Sequence, residues 1–301
     1  MASPILTGHL FWDSPDRTLP PYALLGTESA ALYFDVVILW SFRTVVNAPA
    51  GVVKRDAAEL LCVEDRDAIL ESNATIAHVS DVVRFRAAAR FGGWVVDCDL
   101  IWLRRPPAGR IEFATLFAKK TSNMAPKLEE ESRAFRKKGW PDGRGMPNTP
   151  LALVPGTPAA LAIARLVDEF VDERRGGAPW AIPPTTKEWN VLMHGIKKVV
   201  LELGLGECVR PPIEYGAALS WGGFQDTLMR DHYFDEPVTK FGVRLPSADE
   251  ILDKAYCVPT SFVLAAHGAR KNAKWIGCDV RAYALAHPSS LLGRVVARSG
   301  V

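Results

Sequence analysis

Along this chain, short continuous runs of apolar residues alternate with segments in which apolar residues recur at helical spacing. Apolar runs of strand length predict strands over residues 5–12, 35–40, 94–103, 112–119, 151–154 and 262–267. Helical spacing of apolar residues predicts helices over residues 27–33, 56–61, 79–91, 159–174 and 187–203, and a last helix with a loose tail from residue 279. Strands that alternate with helices are typical of an α/β fold around a mostly parallel sheet flanked by helices.

One predicted helix and the strand after it carry unusual chemistry. Ser80 has the position of a helix N-cap, which places Asp81 in the first turn, where a negative charge suits the helix dipole. Arg84 follows three residues later and therefore shares a face with Asp81. Two glycines at 92–93 end the helix, and the apolar run 94–103 predicts a buried strand.

Two carboxylates, those of Asp97 and Asp99, interrupt this apolar strand. In an extended chain residues two apart point the same way, at roughly 6.5–7 Å, so both would face one spot while Cys98 faces away. Like charges aimed at one point need a cation, and hard oxygen ligands select Mg²⁺ or Mn²⁺. One alternative stays open, in which the segment is a loop at the edge of a sheet.

The combined pattern Ser80-Asp81-x-x-Arg84, Gly92-Gly93, Asp97-x-Asp99 resembles the DXD sugar-binding glycosyltransferases of the GT-A type. That family includes yeast-type initiating mannosyltransferases, capsular-polysaccharide transferases and the glucosylating domains of large bacterial toxins. The resemblance implies a GT-A-like, Rossmann-type sheet in a single domain over residues 1–301. Its core would span about 1–200 and 255–278, with a variable, loop-rich acceptor-side region at about 204–250.

The resemblance also implies a set of catalytic and metal-binding residues. Asp97 and Asp99 would bind Mn²⁺ (or Mg²⁺), and Asp97 would also contact the ribose of the donor. Asp81 and Arg84 would hydrogen-bond hydroxyls of the donor sugar. His267, at the end of the last predicted strand, would be the third metal ligand. Two alternatives stay open, a surface ion pair for Asp81 with Arg84 and a structural histidine for His267.

Further donor contacts are implied at strand ends elsewhere. Phe11 and Trp12 would flank the nucleotide base, Asn148 would face the sugar, and Lys274 would meet the diphosphate or simply water. A core tryptophan and a turn asparagine are the structural alternatives. The chain departs from the family pattern in having Thr157 where a histidine is usual. It also lacks the Thr-Gly-Pro that usually precedes the predicted helix 187–203, which leaves acceptor contacts open.

Composition, apolar run length and cysteine content limit the kinds of partner and the cellular compartment that we expect. The 301 residues are 48% hydrophobic with a formal net charge of +2, so neither nucleic-acid nor membrane electrostatics are indicated. No apolar run reaches the length of about 18 residues that a transmembrane helix needs, and the N-terminus lacks the features of a signal peptide. Five scattered cysteines predict reduced thiols and a cytoplasmic protein.

The expected function is therefore metal-dependent transfer of a hexose from a UDP- or GDP-sugar to a hydroxyl of a glycan or glycoprotein. By resemblance, the anomeric configuration would be retained. Two other functions fit the same residues: a non-catalytic module that binds sugar nucleotides or glycans, and a metal-dependent phosphoesterase or nucleotidyltransferase.

Overall fold

The computed structural model describes residues 4–72, 74–113, 150–177, 191–210, 238–240, 243–245, 248–259, 279–289 and 291–301. Its strands are β1 (Thr7–Phe11), β2 (Val36–Ser41), β3 (Val52–Asp56), β4 (Gly93–Val95), β5 (Leu100–Trp102), β6 (Glu112–Phe113), β7 (Leu151–Leu153), β8 (Val238–Lys240), β9 (Val243–Leu245) and β10 (Cys257–Pro259). Its helices are α1 (Pro21–Tyr33), α2 (Val63–Glu71), α3 (Ile76–Phe91), α4 (Pro158–Arg174), α5 (Val191–Glu202), α6 (Ala248–Lys254), α7 (Val280–Ala286) and α8 (Leu291–Ser299), with 3₁₀ turns at Ala57–Glu59 and Gly206–Cys208.

A six-stranded sheet in the order β3-β2-β1-β4-β7-β6 forms the centre of the molecule. The strands β3, β2, β1 and β4 run parallel, whereas β7 is antiparallel to β4 and β6 is antiparallel to β7. Two antiparallel pairs, β10-β5 and β8-β9, complete the described strands. The mostly parallel α/β fold predicted from the sequence is confirmed.

Both faces of the central sheet are covered, as the nearly continuous apolar strands predict. Alternate residues of one strand enter different cores: Phe11 packs with α2, α3, α4 and α5, whereas Leu10 packs with α1 and β5. A third core lies between α1, the β5-β10 pair and the C-terminal helices, with Ile101 and Val295 fully enclosed. The predicted loose C-terminal tail is therefore wrong, since α8 packs into this core.

Several element boundaries differ from the sequence prediction. The first helix begins at Pro21 rather than at residue 27, because proline has the φ angle of a first helical turn and needs no hydrogen bond there. The predicted helix over 56–61 is only a short 3₁₀ turn, and β3 and α2 were not predicted. Among the residues that the structure describes, every helix is too short or too polar to cross a bilayer.

The helix that carries Asp81 starts earlier than predicted. Its N-cap is Thr75, not Ser80, and Thr75 forms a reciprocal capping box with His78. The backbone N–H of Thr75 donates to His78 Nδ1 at 3.1 Å. Asp81 therefore lies inside the helix, not in its first turn, and its charge is satisfied by a side-chain partner instead of by the helix dipole.

The predicted continuous strand over 94–103 is wrong. It is two strands, β4 and β5, which belong to different sheets, and residues 96–99 turn the chain from one to the other. Leu100 N–H donates to the carbonyl of Asp97 at 3.2 Å and closes the turn. Asp97 and Asp99 are therefore turn residues at the carboxyl end of β4. The prediction that both side chains point the same way from one extended strand is wrong.

A buried histidine fastens the end of α3 to the central sheet. His9 is fully buried in β1. Its Nδ1 accepts a hydrogen bond from Trp40 Nε1 at 3.3 Å, so the proton of the neutral imidazole is on Nε2. Nε2 donates it to Gly92 O at 2.8 Å. Burial lowers the pKa of His9 to about 4; the hydrogen bond to Gly92 opposes this and the positive charge of Arg55 adds to it. His9 is therefore neutral in the folded protein.

We expect His9 to make stability fall as the pH is lowered through the window between its unfolded and folded pKa values, 6.5 and about 4. As the pH falls, His9 takes up a proton in the unfolded chain before it does so in the folded protein. Its contribution to the free energy of unfolding is therefore complete above pH 6.5 and is lost as the pH falls below that value. Between pH 7.5 and 4.5 this amounts to roughly 2–3 kcal/mol of the free energy of unfolding. Urea denaturation of wild type and His9→Gln at both values measures it. An equal decrease in the two proteins would contradict the assignment.

Candidate functional site

The carboxyl ends of β1, β2 and β4 meet at one edge of the central sheet because these strands are parallel and adjacent. Trp12 follows β1, and the turn with Asp97 and Asp99 follows β4. In open α/β sheets, ligands bind outside this edge. The topology thus brings together the aromatic residue and the two carboxylates that the sequence predicted as site residues.

Arg84 is the centre of the hydrogen-bond network at this edge. Its residue is only 3% exposed, and its guanidinium donates to Asp81 Oδ1 at 2.8 Å, to Val96 O at 2.8 Å and to the carboxylate of Asp97. Its Nε also donates to Ser80 O at 3.2 Å. One side chain of α3 therefore binds the carboxylate of Asp97 and the backbone immediately before it.

The pair of Asp81 and Arg84 is buried, which rules out a surface ion pair. Their side chains are 5% and 4% exposed. Burial alone would lower the pKa of Arg84, but the charges of Asp97 and Asp81 together with the hydrogen bond to Asp97 hold it above its ordinary value. The guanidinium is thus charged and fully engaged within the protein. Direct contact of Arg84 with a sugar hydroxyl, as predicted from the sequence, stays a prediction.

The two carboxylates of the turn share one electrostatic environment. Asp97 is 38% exposed at its side chain, and Asp99 is partly exposed. The pKa of the buried Cys98 is raised to about 12, first by burial and then by Asp97 and Asp99 against the opposing charge of Arg84. Burial and the same two carboxylates raise the pKa of Cys257. Both acids therefore lie near the same two thiols.

The turn offers part of a site for a hard divalent cation. Two partly exposed carboxylates, Asp97 and Asp99, supply the oxygen ligands that Mg²⁺ and Mn²⁺ prefer. In the described part of the chain, no three His, Cys, Asp or Glu side chains are placed to hold a metal together. The donor set fits an ion that takes its remaining ligands from phosphate oxygens and water. The predicted third ligand, His267, lies outside the described residues, as do Lys274 and Asn148.

Trp12 is held in one orientation by the loop that follows β1. Its Nε1 donates to Thr18 O at 2.7 Å and to Ser14 Oγ at 3.1 Å, and its ring meets Tyr22 edge-on at 6.3 Å between centroids. Phe11 is 7% exposed and packs in the core against Phe42. The predicted contact of these aromatic residues with a nucleotide base stays a prediction.

A cavity of about 510 Å³ opens at the carboxyl ends of β1 and β2. It is lined by Asp13, Arg43, Arg66, Asp67, Leu70 and Ile76. Arg43 donates to both oxygens of Asp13, at 3.1 and 2.8 Å, and Arg66 lies over the ring of Phe42. Sequence reasoning missed these residues because their only shared property, proximity at one sheet edge, depends on strand order.

Comparisons with known proteins give only distant structural likeness. No protein-family model and no curated protein matches the chain. Six chains of solved structures match it, one of which is named PaToxG Glycosyltransferase. That structure has 15% sequence identity and a TM-score of 0.42, over 68% of this chain and 72% of its own. A likeness at this level does not assign a family or an activity.

Two further residues at this edge were missed because their helix was predicted to begin too late. Burial, and then the nearby charges of Asp99 and Cys98, raise the pKa of Tyr22 to about 12, so its hydroxyl lies close to the turn. Gly26, four residues later in α1, lies directly against the carbonyl of Cys98. The proline pair at residues 20–21 was the signal, since proline at a first helical position would have started the helix there.

We expect Arg84→Met to lower the free energy of unfolding by about 3–5 kcal/mol, because the buried Asp81 would lose the guanidinium that neutralises it. The double variant Asp81→Asn/Arg84→Met should lose less, since no buried charge is left without the guanidinium. Urea denaturation followed by circular dichroism measures both.

The matched control is Arg281→Met, which removes an ion pair with Glu28 between partly exposed side chains and should cost less than about 1 kcal/mol. Equal losses in Arg84→Met and Arg281→Met would contradict the central place of Arg84.

Proposed function

We propose that this chain is a metal-dependent glycosyltransferase that moves a hexose from a UDP- or GDP-sugar to a hydroxyl of a glycan or glycoprotein acceptor. The observation that carries the proposal is the turn with Asp97 and Asp99 at the carboxyl edge of a parallel sheet. One of its carboxylates is bound by a buried arginine, and an oriented tryptophan lies at the same edge.

The two carboxylates would hold a divalent cation together with the donor diphosphate. Asp99 would bind the ion directly, and Asp97 would bind it directly or through water while contacting the ribose. When bound, Mn²⁺ or Mg²⁺ supplies neutralisation of the charge on the leaving diphosphate. Arg84 holds the carboxylate of Asp97 in place, which supports the metal-binding role of Asp97 even where Arg84 itself meets no ligand.

The donor would extend along the sheet edge from the turn to the cavity. Ile76, which lines the cavity, and Asp81 are five residues apart on α3, which corresponds to roughly 7.5 Å of helix rise. A nucleoside in the cavity would therefore lie within reach of a diphosphate at the turn. The two exposed aliphatic side chains of the cavity, Leu70 and Ile76, suit a planar base.

Transfer would break the bond between the anomeric carbon and the diphosphate oxygen, with the electron pair leaving on that oxygen. The acceptor hydroxyl would attack the same face, and its proton would pass to the leaving phosphate oxygen. This route needs no enzymatic base, and it retains the anomeric configuration. The part of the chain between residues 204 and 250 is where we expect the acceptor to be selected.

Incubation with UDP- and GDP-hexoses and Mn²⁺ should release nucleoside diphosphate. Asp99→Asn should slow release by about 100-fold or more, since even outer-shell partners of metals are worth 10- to 100-fold. Asp168→Asn, a change at an exposed carboxylate of α4, should leave the rate unchanged. Liquid chromatography of the nucleotides gives the measurement.

The same assay separates the two rival functions. Release of nucleoside monophosphate instead of diphosphate would indicate a phosphoesterase or nucleotidyltransferase. Saturable binding of a sugar nucleotide, measured by calorimetry, without any release would indicate a binding module. Either result would overturn the transferase proposal.

The product should keep the anomeric configuration of the donor, because the leaving phosphate acts on the face that the acceptor attacks. Nuclear magnetic resonance of the isolated product, from the coupling constant of its anomeric proton, tests this. An inverted product would show that a separate base activates the acceptor.

A further inference from the structure

One face of α1 lies along the turn and the strand that follows it. Tyr22, Gly26 and Ser29 are four and three residues apart, so they share this face. Tyr22 is electrostatically coupled to Asp99, Gly26 touches the backbone of Cys98, and Ser29 hydrogen-bonds to β5. Together these contacts cover the chain from Cys98 to Trp102.

Gly26 is where the helix and the turn approach most closely. A Cβ atom at this position would lie 2.0 Å from the carbonyl oxygen of Cys98, 2.9 Å from its carbonyl carbon and 3.0 Å from the carbonyl oxygen of Leu100. Gly26 is in the interior of an ordinary helix and its φ is not positive, so its backbone conformation does not require glycine. Glycine is required here only by the close approach of the helix to the carbonyl of Cys98.

Other contacts leave the turn little room to move away from a side chain at residue 26. Ser29 Oγ accepts from Trp102 N at 3.0 Å and donates to Gly26 O at 2.8 Å. Cys98 Sγ donates to Phe11 O at 3.4 Å. On the opposite side of the turn, Arg84 of α3 binds Val96 O and the carboxylate of Asp97. The peptide of Cys98, which joins the two acids, is thus held between two helices.

We propose that Gly26 is a positioning residue for the two carboxylates. By allowing α1 to touch the carbonyl of Cys98, it sets the separation and direction of Asp97 and Asp99. The inference rests on the proposed function, in which these acids bind a divalent cation, but it concerns a residue that touches neither the ion nor the donor. A methyl group at residue 26 would displace the Cys98 peptide, and the flanking acids would move with it.

The test compares Gly26→Ala with Gly206→Ala, whose added methyl group meets no atom within 4 Å. Mn²⁺ affinity is measured with and without UDP by the electron paramagnetic resonance signal of free Mn²⁺, and folding by urea denaturation. We expect the dissociation constant of Mn²⁺ to rise about 10- to 100-fold in Gly26→Ala and to stay within about twofold in the control. The Mn²⁺ affinity is the decisive measurement. If Gly26 only stabilised the fold, the folded Gly26→Ala protein would bind Mn²⁺ as tightly as the wild type does.

A folded Gly26→Ala protein with wild-type Mn²⁺ affinity would overturn the inference and leave the proposed function standing. A wild-type chain that binds no Mn²⁺ would instead overturn the proposed function, and the inference with it. If Gly26→Ala does not fold, Ser29→Ala replaces it, since it removes the hydrogen bonds to Leu100 O and Trp102 N that hold α1 against the chain immediately after the turn. Unchanged Mn²⁺ affinity in folded Ser29→Ala would then refute the inference.

Discussion

The buried guanidinium of Arg84 is the contact on which the rest of the site depends. An arginine enclosed in protein is tolerated only where its donors meet oxygen atoms, since an unpaired buried charge costs several kcal/mol. Arg84 meets this requirement with Asp81 on its own helix, with Val96 O at the end of β4 and with the carboxylate of Asp97. One side chain therefore links α3 both to the end of β4 and to Asp97 at the edge of the sheet.

The opposite side of the turn is constrained by close packing instead of charge. Gly26 brings the backbone of α1 against the carbonyl of Cys98, and the thiol of Cys98 is buried and donates to Phe11 O. Cys98 thus contributes as an inert, protonated thiol, whose pKa of about 12 reflects burial above all. Electrostatic contacts from α3 and steric contacts from α1 together fix the turn before any ligand arrives. Preorganised charges of this kind are what catalysis on a charged substrate requires.

The parallel sheet explains why these groups meet at all. Its order places β4 beside β1 and β1 beside β2, so that the turn, Trp12 and the cavity share one edge. The chemistry at this edge then changes along its length. At the turn it is acidic and partly exposed, whereas at the cavity two arginine-aspartate pairs alternate with Leu70 and Ile76.

The sequence by itself determined the class of fold and the residues of the turn. Apolar periodicity is local, so the strands near residues 7–11 and 36–41 and the helix that begins after Thr157 follow from it, and the α/β prediction was correct. The carboxylates stood out because charge inside an apolar run is expensive wherever it is buried. Only the tertiary structure decided that the run is two strands in different sheets, that the acids lie in the turn between them, and that Asp81 and Arg84 are buried. It also decided the place of Gly26, because the contact between Gly26 and Cys98 joins residues far apart in the chain. No local pattern encodes a contact of that kind, since it arises from the packing of one helix against a distant turn.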